Sequence, residues 1–272
     1  MELEIYADAA AVGRRAAEII AEAINTKPDV TLGLATGRTP ISTYDALVRL
    51  YDSGKVEFSG VTTFNLDEYV SLPSDDPHSY HAYMREHLFQ HVNLLPGAAH
   101  TPQGDADDLE RECAQYEAAI DAAGGIGLQL LGIGRNGHIG FNEPGAGWNL
   151  PTHVVELKEG TRRANANFFG GDVARVPTRA ISMGILTIMH AHRLLLLATG
   201  DTKSAIMQRA IEGAISPDVP ASILQLHPDA LVLLDTAAAS RLHATTTAHA
   251  LRLAVDAGPA IPRSGEHRSP AT

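Results

Sequence analysis

The chain has 272 residues, 44% of them hydrophobic and 19% charged, and a formal net charge of −11. This is apolar material for one large α/β domain or two small ones and excludes a disordered chain; the acidic balance speaks against non-specific binding to nucleic acid or to an anionic membrane surface. A single cysteine, Cys113, rules out an intrachain disulfide framework and fits a reducing compartment.

The opening Met1-Glu2-Leu3-Glu4-Ile5-Tyr6 has neither the basic nor the apolar region of a signal peptide. No apolar run approaches the roughly 20 residues that span a bilayer, so the expectation is a cytoplasmic protein without a membrane partner. Leu3–Tyr6 reads as a strand, and Asp8 is placed to cap a helix through Ile24, with apolar residues at 12, 16, 19, 20 and 23. Val30–Ala35 is a second strand, Pro40–Leu50 a helix and Val61–Leu66 a third strand. Helical patterns follow near His78–His91 and Asp107–Ala123, then a buried strand at Ile126–Leu131. A strand near Val154–Leu157, an apolar run over Arg179–His190 and a strand at Leu194–Ala198 come next. Asp201 is placed to cap a helix to Gly213; Leu231–Leu234 is a strand, and Thr236–Val255 is mostly helical. This alternation predicts an α/β fold, a Rossmann-like three-layer sandwich around a mostly parallel central sheet. Residues 1–257 form its single domain, and Gly258–Thr272, rich in Pro, Ser, Gly and Arg, a mobile tail.

The residues that carry chemistry cluster behind four strands. The turns are Thr36-Gly37-Arg38-Thr39-Pro40, Asp67-Glu68-Tyr69, Gly132 to His138, and Thr199-Gly200-Asp201-Thr202-Lys203. Ligands of open α/β sheets bind outside the carboxyl ends of the strands, so all four turns meet on one edge. Thr36–Pro40 is small and polar, with a proline suited to start a helix whose free amides suit a phosphate. Taken alone it reads equally as an ordinary strand-to-helix turn, and it lacks the Walker spacing. Lys203, in the first turn of its helix, opposes the helix dipole and is either met by an anion or simply solvated.

Gly132-Ile133-Gly134-Arg135-Asn136-Gly137 fits G-x-G-x-x-G, but that fingerprint opens a long helix. Here His138-Ile139-Gly140-Phe141-Asn142-Glu143-Pro144-Gly145 follows, too rich in glycine and proline for one, which argues against a nicotinamide site. Asp67, directly after an apolar strand, is placed for partial desolvation and base chemistry, or is a surface acid. His138 and Glu143 in one tight loop make a proton-transfer pair or an ordinary hydrogen-bonded histidine. The pairs His78/His81 and His87/His91 have metal-compatible helical spacing but lack a completing ligand set apart from Glu86, so a solvated helix face is the better reading.

In GLATGRTP at 33–40, FNLDEY at 64–69, GIGRNGHIGFNEP at 132–144, TRRAN at 161–165 and LQLHP at 224–228, the sequence resembles the glucosamine-6-phosphate deaminase family, from near residue 1 to about 250. The resemblance implies conversion of glucosamine 6-phosphate to fructose 6-phosphate and ammonia, with no cofactor and no metal. It implies that Asp67 moves a proton between C1 and C2 and that His138 opens the sugar ring, supported by Glu143 and Asn136. Arg162, Lys203 and the loop Thr36, Gly37, Arg38 and Thr39 would hold the phosphate. The partner is a small sugar phosphate; self-association is left open. Competing readings are a 6-phosphogluconolactonase-like hydrolase, a sugar-phosphate sensor, which would carry a helix-turn-helix for which the sequence before the first strand leaves no room, and, more weakly, a dehydrogenase.

Three positions depart from the family pattern. Asn136 stands where some members carry Asp; it can orient His138 but cannot take its proton. Arg38 stands where a small residue is common, and is expected to add a phosphate contact or point to solvent. Residues 145–153 lack the basic side chains of the allosteric site of regulated members. The expected outcome is hyperbolic kinetics, unchanged by N-acetylglucosamine 6-phosphate. A sigmoidal rate curve that this ligand renders hyperbolic contradicts it.

Overall fold

Asp8 separates the first strand from the first helix: its carboxylate accepts the amide of Ala11, a cap that contributes about 1 kcal/mol. Strand β1 (Glu2–Tyr6) precedes it and helix α1 (Ala9–Thr26) follows, two residues longer than the apolar pattern indicates. In this computed structural model residues 1–249 are described. The remaining elements are β2 (Thr31–Leu34), α2 (Ile41–Asp52), β3 (Thr62–Asn65), β4 (Asp67–Tyr69), α3 (Tyr80–His87), β5 (Ala99–His100), α4 (Leu109–Ala122) and β6 (Leu128–Gly132). Then come β7 (His153–Glu156), α5 (Glu159–Asn165), β8 (Arg179–Ser182), α6 (Ile185–Met189), β9 (Arg193–Ala198), α7 (Ser204–Glu212), β10 (Ala230–Asp235) and α8 (Ala244–His249).

Seven strands form one parallel sheet in the order β1-β10-β9-β6-β2-β3-β5. Its central strands carry near-continuous apolar runs, as parallel strands covered on both faces require: Leu194–Leu197 and Leu231–Leu234 are all buried. Strand order reverses between β2 and β6, so the turns after these two strands diverge across a crevice at the carboxyl edge. This is the α/β class anticipated from the alternation of elements.

Four local expectations differ from the structure. Asp67–Tyr69 is not a loop but strand β4, paired antiparallel to β8, which pairs antiparallel to β7 in a second, three-stranded sheet. The 179–190 apolar run divides into β8 and the short α6, because Gly184 intervenes. Asp201 does not cap α7; it opens a 3-10 turn, Asp201–Lys203, and α7 begins at Ser204, whose hydroxyl donates to the Asp201 carbonyl. Within the described part of 236–255, helix covers only α8. The expected tail at 258–272 lies outside the described residues.

Strand β4 is fixed from behind by Gly104. A Cβ there would stand 1.9 Å from the Tyr69 carbonyl oxygen, while the Gly104 carbonyl accepts the Ser71 amide. Gly104→Ala is therefore expected to destabilise the fold by about 1–3 kcal/mol, read as a lower urea midpoint. An unchanged midpoint would mean that β4 tolerates displacement.

Candidate active site

Asp67 is the first residue of β4, and its carboxyl is buried. Its pKa is pushed up to about 8, first by burial and then by the neighbouring Glu68, with no hydrogen bond to offset them. Glu68, on the opposite face of the strand, is fully engaged: it accepts the amides of Tyr69, Tyr80 and His81, and its Oε2 lies 3.0 Å from His81 Nδ1. His78 pairs instead with Asp76, and His91 Nε2 lies 2.8 Å from the Glu86 carbonyl oxygen. The histidines with metal-like spacing thus turn to separate partners, and among the described residues no group of three His, Cys, Asp or Glu is arranged for a metal ion.

The 132–144 loop comes to Asp67 through Gly140. A Cβ on Gly140 would meet Asp67 Oδ2 at 3.7 Å and Ser182 Oγ at 2.9 Å, and φ is +55°. Ser182 Oγ also accepts the Phe141 amide, which docks the loop on β8. Gly134 is a glycine for a related reason: a Cβ would stand 2.3–2.4 Å from the His138 ring, which lies flat against this backbone. The G-x-G spacing thus makes room for an imidazole.

His138 Nδ1 lies 3.8 Å from Glu143 Oε2, within electrostatic range but beyond direct hydrogen bonding. Asn136 bridges them differently from expectation: its Nδ2 donates to Glu143 Oε2 (2.6 Å), and its Oδ1 accepts the His138 amide rather than touching the ring. Thr161 donates its hydroxyl to the other Glu143 oxygen. Burial pushes Glu143 up, but His138, Thr161 and Asn136 together outweigh it and hold its pKa at about 2.

The cations divide. Lys203 Nζ donates to the Ile133 carbonyl (2.6 Å), joining the turn after β9 to the turn after β6. Burial and then Arg135 lower its pKa to about 8. The Arg162 guanidinium donates to the carbonyls of Val173 and Val176. Arg38 is exposed, with its guanidinium 5.7 Å from the Phe168 ring centroid. Thr36 interacts with the Tyr80 hydroxyl, and Gly37 adopts φ +102°. Sequence reasoning missed Tyr80, whose ring stacks on Phe141 of the His138 loop at 6.2 Å and whose hydroxyl feels the Asp67 charge. It also missed Thr161 and Arg135. Nothing in local spacing marks Tyr80 or Thr161; Arg135 was legible only as part of the glycine loop.

A buried acid, an imidazole loop and a turn of small polar residues on the carboxyl edge of a parallel sheet fit an α/β enzyme. Residues 6–233 match the family described as glucosamine-6-phosphate isomerases/6-phosphogluconolactonase, and the chain belongs to this family. It is 51% identical over 243 residues to a glucosamine-6-phosphate deaminase of Clostridioides difficile (strain 630), covering 89% of this chain and 97% of the relative. It is 50% identical over 240 residues to glucosamine-6-phosphate deaminase 1 of Bacillus subtilis (strain 168), covering 88% and 98%. Among solved structures, a monomeric glucosamine-6-phosphate deaminase superposes with TM-score 0.87 at 49% identity, covering 89% of this chain and all of that one. A 6-phosphogluconolactonase from Trypanosoma cruzi shares the fold, with TM-score 0.70 at 18% identity.

A carboxyl with a raised pKa makes stability depend on pH. Its contribution is whole below about pH 4, where the unfolded chain also keeps the proton. It is lost as pH rises toward 8, because only the unfolded state ionises freely. Asp67→Asn removes that loss. Its unfolding midpoint should match wild type near pH 4 and exceed it increasingly up to about pH 8, by an amount on the order of a few kcal/mol. A difference that does not vary with pH contradicts the buried-acid description.

Proposed function

We propose that the protein converts glucosamine 6-phosphate and water to fructose 6-phosphate and ammonium. The observation that carries this reading is the approach of the His138 loop to the Asp67 carboxyl at Gly140. The roughly 50% identity to named deaminases supports it. His138 opens the ring: its imidazole takes the proton of the anomeric hydroxyl and then gives one to the ring oxygen. Glu143, held ionised and fixed by Asn136 and Thr161, stabilises the imidazolium formed between the two transfers. Asp67 then takes the C2 proton and returns it to C1. Water adds to the resulting C2 iminium, and ammonia leaves.

The phosphate does not react, and its binding energy positions the sugar. The amides of the Thr36–Thr39 turn, Lys203 and the neighbouring Arg135 support this role best. Arg162 would have to release the carbonyls of Val173 and Val176 to join them, and Arg38 would have to leave Phe168. All groups come from one chain, and we take residues 1–257 as the catalytic domain. We place the activity in the cytoplasm, where buried Cys113, its thiol pushed up to about 11 by burial and nearby acids, stays reduced.

Because Asp67 acts in its ionised form and Lys203 in its protonated form, kcat/KM for ammonia release should rise between about pH 6 and 8 and fall again above, as the free enzyme loses the Lys203 charge. Asp67→Asn should abolish exchange of the C2 proton with solvent while fructose 6-phosphate still binds. Full exchange in that variant removes Asp67 from the mechanism. Hydrolysis of 6-phosphogluconolactone without ammonia release from glucosamine 6-phosphate replaces the proposal with the hydrolase reading.

A further inference from the structure

The turn after β2 is held in an alternating way. The carbonyl of Ala35 accepts the Tyr44 hydroxyl (2.5 Å), that of Gly37 the Tyr83 hydroxyl (2.6 Å) and that of Thr39 the Ser42 hydroxyl (3.4 Å). In a planar trans peptide the carbonyl and the next N–H point in opposite directions. Anchoring the Ala35 and Gly37 carbonyls on two tyrosines therefore turns the amides of Thr36 and Arg38 to the other side. Among the described residues no hydrogen bond takes the backbone amides of residues 36–39. Gly37 can hold φ +102° without strain, and a Cβ there would meet nothing within 4 Å, so the glycine serves the backbone angle.

Tyr83 is itself placed by the strand that carries Asp67. Glu68, the next residue, accepts the first two amides of α3, those of Tyr80 and His81, and Ser79 accepts the Ala82 amide. Tyr83 lies one turn on, edge to face with both Tyr80 and Tyr44, at 6.5 Å in each case. The first turn of α3 is thus a strut, with Glu68 holding its start and Tyr83 reaching the Gly37 carbonyl.

We propose that Tyr83 is a positioning residue: through α3 and Glu68 it ties the 36–39 turn to the Asp67 strand and fixes the turn's amides for the substrate phosphate. The inference rests on the proposed function for the identity of the sugar phosphate, but not for the orientation of the turn. It also sets the span between the proton-transfer carboxyl and the anion, and so selects substrate by the separation of its reacting carbons from its phosphate.

The test is Tyr83→Phe, which keeps the ring packing and deletes the hydroxyl. The dissociation constant of inorganic phosphate, by calorimetry, and the KM for glucosamine 6-phosphate should rise by the same factor, about three- to tenfold, the worth of one hydrogen bond. kcat should stay within about twofold, since a uniformly lost binding contact leaves it unchanged. Glu68→Gln, whose amide cannot accept all the donors that Glu68 receives, should also weaken phosphate binding. Glu68→Gln/Tyr83→Phe should weaken it no more than the stronger single change, because both cut one path. Unchanged phosphate affinity in Tyr83→Phe, multiplicative effects in the double variant, lower thermal stability and kcat at constant phosphate affinity, or no phosphate binding by wild type would each overturn the inference. Wild-type phosphate binding that follows this pattern without ammonia release would instead defeat the proposed function and leave the strut intact.

Discussion

The structure turns on one residue, Leu66, that links two sheets. Its amide bonds to the Leu34 carbonyl in the parallel sheet, and its own carbonyl accepts the amide of Met183 just beyond β8. The chain leaves one sheet and enters the other within that single peptide, so the next side chain, Asp67, emerges at the joint. Strand β8 flanks it in the second sheet and Gly140 approaches its carboxyl. A carboxyl so enclosed is poorly solvated in its charged form, and its raised pKa follows from the topology. The same joint supplies Ser182, whose hydroxyl docks the His138 loop, so the position of the imidazole depends on the strand switch as well.

The site holds two carboxyls in opposite states. Asp67 has no donor among the described residues and stays protonated to about pH 8, whereas Glu143 accepts from Asn136 and Thr161 beside His138 and ionises at about 2. Environments that push two acids apart in this way separate their roles. On the proposed reading, Asp67 gains and loses a proton during turnover, and Glu143 never does; it supplies a fixed charge beside His138. Asn136 suits that division. It cannot take a proton, and it spends its amide on Glu143 and its carbonyl on the His138 backbone, which makes it part of the scaffold.

Much of this was legible in the sequence where the cause is local. The Asp8 cap, the apolar strands and the glycines of the 132–140 loop announce themselves, because each answers a short-range demand: an unpaired amide, a covered strand, a backbone that must let a ring pass. What stayed hidden was long-range. Asp67–Tyr69 becomes a strand only because residues 180–182, over a hundred positions away, pair with it. Three residues carry no alternation that could signal this. Where the side chains of Arg162 and Arg38 lie without a ligand was not legible either, because the partner of a long side chain is set by whatever tertiary structure offers. Here that is a pair of backbone carbonyls and an aromatic ring. Asp201 looked like a helix cap because its type and position fit, yet the 3-10 turn moved the helix start past it.

The electrostatics of an acidic chain also bear on the anion it is proposed to hold. Lys203 and Arg135 stand close enough to repel each other, and with burial this brings Lys203 down to about 8. Asp67 titrates in the same range from the opposite side: raising the pH creates the base at position 67 while it discharges the cation at position 203. Without a ligand the two requirements therefore conflict. A phosphate dianion relieves the conflict, because its charge offsets the repulsion between Arg135 and Lys203 and raises the pKa of the amine. Lys203 then keeps its proton at a pH where Asp67 has lost its own. Substrate binding at one end of the pocket thus widens the pH range in which both ends hold the protonation states that the proposed chemistry needs, and the unreactive phosphate contributes to that chemistry through charge as well as position.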